Sequence, residues 1–183
     1  LGIIGPRMRE YVEKAQALAP GHRIQVYCWR GGMRSESIAW LLSTSGMEVT
    51  VLEQGYKGFR RLIHAAFERE QSIRIIGGLT GCGKTEFLNQ LSHFNFQVID
   101  LERLASHKGS VFGNLGQPEQ PTNEQFENEL GMEWLGLDPA GPVYLEDESI
   151  NIGMVSIPKA LFDRMRAEPV IFIDMPLESR VER

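Results

Sequence analysis

The sequence predicts an α/β protein with parallel strands, arranged as two consecutive units, and three observations carry that prediction. Short apolar runs at residues 24–27, 49–52, 73–77, 97–100, 143–147 and 170–174 alternate with stretches of helical periodicity. Strands separated by helices pair in parallel and gather ligands at their carboxyl ends. Two of the runs lead directly into glycine-rich loops that are followed by helices, which is how α/β proteins build anion sites. The length, 183 residues, accommodates one or two domains at about 150 residues each, and two separate loops of this kind argue for two.

Composition narrows the class. No run approaches the roughly 18 apolar residues of a membrane span, and the first residues lack a basic, apolar, small-residue leader pattern. A cytoplasmic protein without a membrane partner is expected. The two cysteines, Cys28 and Cys82, each sit in a glycine-rich loop, show no metal-ligand spacing and are read as reduced thiols. No structural metal site and no tightly bound cofactor are expected. The net charge is −5, but residues 1–70 hold ten Lys and Arg against seven Asp and Glu, whereas residues 71–183 hold nine against seventeen. The first part is the one able to offer a basic surface.

In chain order, Pro6 opens a helical pattern through Met8, Tyr11, Val12, Ala15 and Leu18, which Pro20-Gly21 ends. Ile24–Tyr27 is the first strand. Cys28-Trp29-Arg30-Gly31-Gly32-Met33-Arg34-Ser35 follows, and Ser35–Ser43 continues as a helix. The turn and the helix start offer backbone N–H groups to an anion, Gly31 and Gly32 allow the tight curl, and Arg30 and Arg34 add positive charge. Cys28 is therefore expected to ionise below the roughly 8.5 of a free thiol and to act as a nucleophile. After the strand Val49–Leu52, the segment Glu53–Gly58 reads as a loop. A connecting helix then runs from Phe59 to about Glu70, with Leu62, Ile63, Ala66 and Phe67 on its apolar face.

The second unit opens with the strand Ile73–Gly77 and continues as Gly78-Leu79-Thr80-Gly81-Cys82-Gly83-Lys84-Thr85, a complete GxxxxGKT phosphate loop before a helix. Gly78, Gly81 and Gly83 let the backbone amides wrap a di- or triphosphate, Lys84 neutralises it, and the Thr85 hydroxyl can ligate magnesium. Cys82 occupies a variable place in the loop and reads as a small filler. Three later strands end in acids, at Asp100, at Glu146-Asp147 and at Asp174. As second magnesium partner Asp147 ranks first, Glu146 next, with Asp100 also a candidate. Residues 106–121 form a long loop rich in Gly and Pro, in which His107, Lys108 and Ser110 suit phosphate or RNA-backbone contact. Helices are expected over Thr122–Leu135 and Pro158–Met165.

Together these residues resemble the bacterial tRNA 2-selenouridine synthases, in which a rhodanese-like domain is fused to a P-loop domain. The resemblance rests on residues 27–35, 55–60, 78–85, 100–113 and 145–149 and spans about residues 22–180. It implies a partial rhodanese-like α/β domain followed by a P-loop NTPase-like domain with a parallel sheet. Only 27 residues precede Cys28, so residues 1–58 are expected to be the C-terminal part of a domain of about 100 residues. Residues 59–71 are then the connecting helix and 72–183 a truncated P-loop domain. The resemblance also implies chemistry on tRNA carrying 2-thiouridine at the wobble position. The sulfur is S-geranylated from geranyl diphosphate, and selenium from selenophosphate then replaces it. Gly78–Thr85 would hold a diphosphate or the RNA backbone. Cys28 would act as a perselenide carrier or as the nucleophile that accepts the geranyl-thio group, with Arg30 and Arg34 holding the phosphate-bearing donor. Other readings of the same residues are a P-loop kinase or NTPase with an attached sulfur-carrier domain, a rhodanese-fold cysteine phosphatase built on Cys28-x5-Arg34, and a non-catalytic tRNA-binding module.

Overall fold

The computed structural model describes residues 4–109 and 113–181. The chain separates into two compact units, with the division between Leu62 and Ile63. Both are α/β with parallel strands, as the alternation of runs predicts.

The first unit begins with α1 (Ile4–Leu18), which carries Pro6 in its first turn, where no intrahelical N–H is lost. Strand β1 (Arg23–Val26) pairs in parallel with β2 (Glu48–Val51), from Arg23 opposite Glu48 to Val26 opposite Val51. Between them runs α2 (Met33–Thr44), and Gly46, at φ 90°, turns the chain into β2. Ala15, Leu42 and Met47 form the buried centre, flanked by Val12, Ile24, Val26, Ile38 and Val49.

The connecting helix differs from expectation at both ends. Residues 55–58 belong to α3 (Gly55–Ala66) rather than to a loop, and the helix stops at Ala66 instead of continuing to about Glu70. A helix start needs partners for its first N–H groups, and here the cysteine loop supplies them. The Tyr56 N–H donates to the Cys28 carbonyl and the Lys57 N–H to the Trp29 carbonyl, both at 2.9 Å. A tertiary contact therefore creates the first turn. On the expected apolar face, Ile63, Ala66 and Phe67 are buried and Leu62 is exposed.

The second unit is built on a four-stranded parallel sheet of β3 (Ile73–Gly78), β4 (Gln97–Ile99), β5 (Val143–Glu146) and β8 (Val170–Ile173), in the spatial order β4-β5-β3-β8. Ile73, Ile75 and Ile76 are all buried, the continuous apolar reading of a strand covered on both faces. Helices α4 (Lys84–His93), α5 (Leu101–Ala105), α6 (Asn123–Leu135), α7 (Lys159–Ala167) and α8 (Leu177–Val181) accompany the strands. Thr122 caps α6 by accepting from the Gln125 N–H at 3.2 Å. A short antiparallel hairpin of β6 (Asn151–Ile152) and β7 (Val155–Ser156), turning at Gly153 with φ 62°, is absent from the sequence reading. Two-residue strands carry too little alternation to register as a pattern. Arg164 on α7 donates to the carbonyls of Phe67, Arg69 and Gln71, each at 2.8 Å, and so fixes the chain that leads into β3.

Candidate functional site

In the first unit, Cys28 lies two residues beyond the end of β1, and its Sγ is 3.4 Å from the Ser35 hydroxyl. Ser35 is buried in the first turn of α2 and donates to the Gly32 carbonyl at 2.9 Å. The Cys28 thiol lies below its ordinary range, chiefly because of the Ser35 hydroxyl; burial opposes this, and the backbone N–H groups of Arg30, Ser35 and Gly31 each add a smaller lowering contribution. The hydroxyl has one proton, so when the thiol ionises it can turn from the Gly32 carbonyl to the sulfur. The direction is the one expected of Cys28, and the loop amides contribute as expected, but the leading cause is the Ser35 hydroxyl rather than the Arg30 or Arg34 charge. Arg30 and Arg34 are exposed and make no ion pair with any described residue. Ser35 was the overlooked residue, and its signal was its place in the first turn of the helix after the loop.

Gly55 shapes this loop from outside. Its φ is 59°, and a Cβ there would stand 2.1 Å from the Cys28 carbonyl oxygen and 2.3 Å from the Gly31 nitrogen. Only glycine permits that approach.

In the second unit the phosphate loop leaves the carboxyl end of the central strand β3 and opens α4. Gly78, Gly81 and Gly83 have φ of 155°, 81° and 86°, the backbone freedom the motif requires. The Lys84 ammonium donates to the Gly78 carbonyl at 3.1 Å, lying back over the loop. Cys82 is buried with its sulfur against Gly78, the filler its position suggests. A cleft of about 320 Å³ is lined by Thr80, Gly81, Gly83, Lys84, Thr85, Glu102, Lys108, Gly109 and Glu148.

The acids sort by face. Thr85 Oγ1 donates to Glu146 at 3.0 Å. Asp147, ranked first from the sequence, is paired with Arg166 instead. Successive residues at a strand end point to opposite faces, so Glu146 and Glu148 share one side and Asp147 takes the other. Glu102, Glu146 and Glu148 each offer an oxygen within 4.8 Å of the others. Asp100 caps α5, accepting from the Arg103 N–H at 2.8 Å. Glu102 and Glu148 were not singled out from the sequence, although the Glu146-x-Glu148 alternation could have indicated the second.

Burial, and then the neighbouring carboxylates Glu148 and Asp100, push Glu102 up to about 7. Burial followed by Glu102 and Asp100 does the same for Glu146, also to about 7. Glu148 rises to about 6, through burial and then Glu146. Glu146 is fully buried, and its Oε2 has no hydrogen-bond partner among the described residues. A buried, unpartnered carboxylate oxygen among like charges is costly, and a hard divalent cation with oxygen ligands relieves it. The donor set beside Thr85 thus fits magnesium.

The block after Asp100 folds towards this cleft. Lys108 lines it, and its N–H donates to the Gly113 carbonyl at 2.9 Å. Gly109 lies so close to Glu102 and Glu148 that a Cβ would be 2.6 and 2.7 Å from their oxygens. The His107 ring lies instead against Gly113 and Gly153, so the structure does not bring it to the cleft as it does Lys108. Ser110 lies outside the described residues. Gln120 ties the long loop down, donating to the carbonyls of Ala105 and Ile152 at 2.9 and 3.0 Å.

A family model described as the tRNA 2-selenouridine synthase AAA domain matches residues 71–183. A protein named tRNA 2-selenouridine synthase from Shewanella loihica is 40% identical over 163 residues, which cover 86% of this chain and 42% of that protein. One from Cupriavidus pinatubonensis is 36% identical over 183 residues, covering 97% of this chain and 48% of its own. Another, from Hydrogenovibrio crunogenus, is 42% identical over 166 residues, or 85% and 45% of the two chains. The chain therefore spans under half the length of these relatives. No solved structure matches it. With the family model matching more than half of its length, and with the phosphate loop, the acidic cluster and the Lys108 segment all inside that match, the chain belongs to the tRNA 2-selenouridine synthase family.

Proposed function

We propose that this chain carries both reactive loops of a tRNA 2-selenouridine synthase, a transferase that converts 2-thiouridine at the tRNA wobble position to 2-selenouridine. The observation that carries the reading is the Cys28 thiol, held below its ordinary pKa by Ser35 and the loop amides, in a chain of this family. In this reading residues 1–58 are the C-terminal part of a rhodanese-like domain, 59–71 the connecting segment, helical up to Ala66, and 72–183 a P-loop NTPase-like domain. The enzyme works in the cytoplasm, where its tRNA substrate is; no helix among the described residues is long and apolar enough to cross a membrane.

The two loops divide the reaction. Gly78–Thr85 binds the diphosphate of geranyl diphosphate through its amides and Lys84, and Lys108 adds a second cation at the cleft. Thr85, Glu146, Glu102 and Glu148 would hold magnesium, with Asp100 and Asp147 outside that set, and a bound ion would supply positive charge for a departing diphosphate. The start of α2, with Arg30 and Arg34, receives the selenophosphate donor. Cys28 then serves the selenium step as its nucleophile: the thiolate adds at C2 of the geranylated base and expels geranyl thiolate, and selenide, released from selenophosphate by water as phosphate forms, displaces the thiolate in turn.

Nucleoside analysis of tRNA from cells carrying variants of the full-length protein tests the division. Cys28→Ala is expected to abolish selenouridine and leave geranylated tRNA, and Lys84→Ala to block the earlier step. Normal selenouridine in the Cys28 variant overturns the role of the thiol. Intact geranylation in Lys84→Ala assigns the phosphate loop to another phosphate.

A further inference from the structure

The cysteine loop carries a set of aromatic rings that neither the thiol chemistry nor the core uses. Tyr27 and Trp29, which flank Cys28, are 59% and 55% exposed. Both rings pack on Tyr56: Tyr27 is stacked at a centroid distance of 6.2 Å and 28° between planes, and Trp29 is tilted at 5.5 Å. Phe59 continues the row at 5.9 Å from Tyr56. The row is held in place because the Tyr56 and Lys57 N–H groups bond the carbonyls of Cys28 and Trp29. The two segments that build it, residues 27–35 and 55–61, contain Arg30, Arg34, Lys57, Arg60 and Arg61 and no acid. Arg30, Arg34 and Lys57 are exposed.

Exposed rings interleaved with cations are the two components of single-strand recognition, in which aromatic faces stack bases and the basic residues follow the phosphates. We infer that Tyr27, Trp29 and Tyr56 form a stacking platform for unpaired nucleotides of an RNA, which holds a base beside the Cys28 sulfur while Arg30, Arg34 and Lys57 contact the flanking phosphates. The inference rests on the tRNA reading above and adds the residues that present the base. A protein surface is disfavoured by the charge: five cations and no acid complement a polyanion.

Fluorescence polarisation with the full-length protein tests it, using a labelled hairpin RNA with an unpaired, uridine-containing loop and a blunt duplex RNA of equal length. Trp29→Ala and Tyr27→Ala should each weaken hairpin binding about tenfold to a hundredfold, leaving duplex binding and the salt dependence unchanged. Trp29→Phe should restore most of the affinity. Arg34→Ala should lower the slope of log affinity against log salt by about one. An unshifted pH dependence of Cys28 alkylation shows that the loop is still folded in each variant. If the wild type binds the hairpin and both aromatic variants bind it equally well, the platform is overturned while the RNA reading stands. If the wild type binds neither RNA, the RNA reading itself fails. Equal losses on hairpin and duplex, or loss of a bound protein with RNA affinity intact, also overturn the platform.

Discussion

Ser35 is the residue that does most to lower the pKa of Cys28 in the first unit. It is 2% exposed, so the hydroxyl that faces Cys28 is shielded from competing water and is directed by the first turn of α2. A folded-state pKa below that of the free thiol means that the thiolate is present at pH values where a free cysteine, near 8.5, is still protonated. Alkylation of Cys28 by iodoacetamide should therefore reach half its maximal rate below that value. In Ser35→Ala the largest stabilising contact is gone and only the amides remain, so the midpoint should move upward. An unchanged midpoint would locate the acidity elsewhere. The same lesson holds for Asp147 and Glu146, adjacent acids with opposite partners, Arg166 for one and Thr85 for the other. No composition argument separates neighbours, whereas the two-residue period of a strand does.

At the scale of elements, the first turn of α3 and the cysteine loop form one device. The carbonyls of Cys28 and Trp29, at the start of the loop, satisfy the first amides of the helix, and Gly55 allows the approach. Gly55→Ala should cost about 2 kcal/mol or more, from a positive φ together with a methyl group directed at backbone atoms. Because the collision falls on Cys28 and Gly31, the thiol should lose part of its acidity as well. Chemical denaturation and the alkylation profile measure the two effects. A variant as stable as the parent would show that the loop can yield. The helix expected over Phe59 to about Glu70 is present but runs from Gly55 to Ala66; its start is hidden in the sequence because Gly-x-x-Gly reads locally as a loop and only the partner carbonyls make it helical. Similarly, α2 and α4 were legible because each follows a glycine-rich turn and carries its own periodicity, whereas the β6–β7 hairpin was too short to read.

For the molecule as a whole, the acidic cluster links pH, metal and stability. Burial raises Glu102, Glu146 and Glu148 to about 7, 7 and 6, above the roughly 4.3 of an unfolded glutamate. A raised acid favours folding while both states are protonated, below about pH 4, and that contribution is lost as pH rises through the folded values. Metal-free protein should therefore lose melting temperature between about pH 4.5 and 7, and magnesium should restore it with release of protons. Glu146→Gln removes the buried charge, so its melting temperature should depend less on pH and respond less to magnesium. An equal response to magnesium in that variant would exclude the cluster as its site. The sequence by itself determined the alternation of parallel strands and helices, the two anion loops and the family to which they belong, because glycine spacing and apolar periodicity are local properties. Only the tertiary structure decided that the Ser35 hydroxyl leads in acidifying Cys28, that α3 starts on the cysteine loop, and that Glu102 joins Glu146 and Glu148 rather than Asp147. Each of these is a meeting of residues distant in sequence or on opposite strand faces, and such meetings are set by how the elements pack.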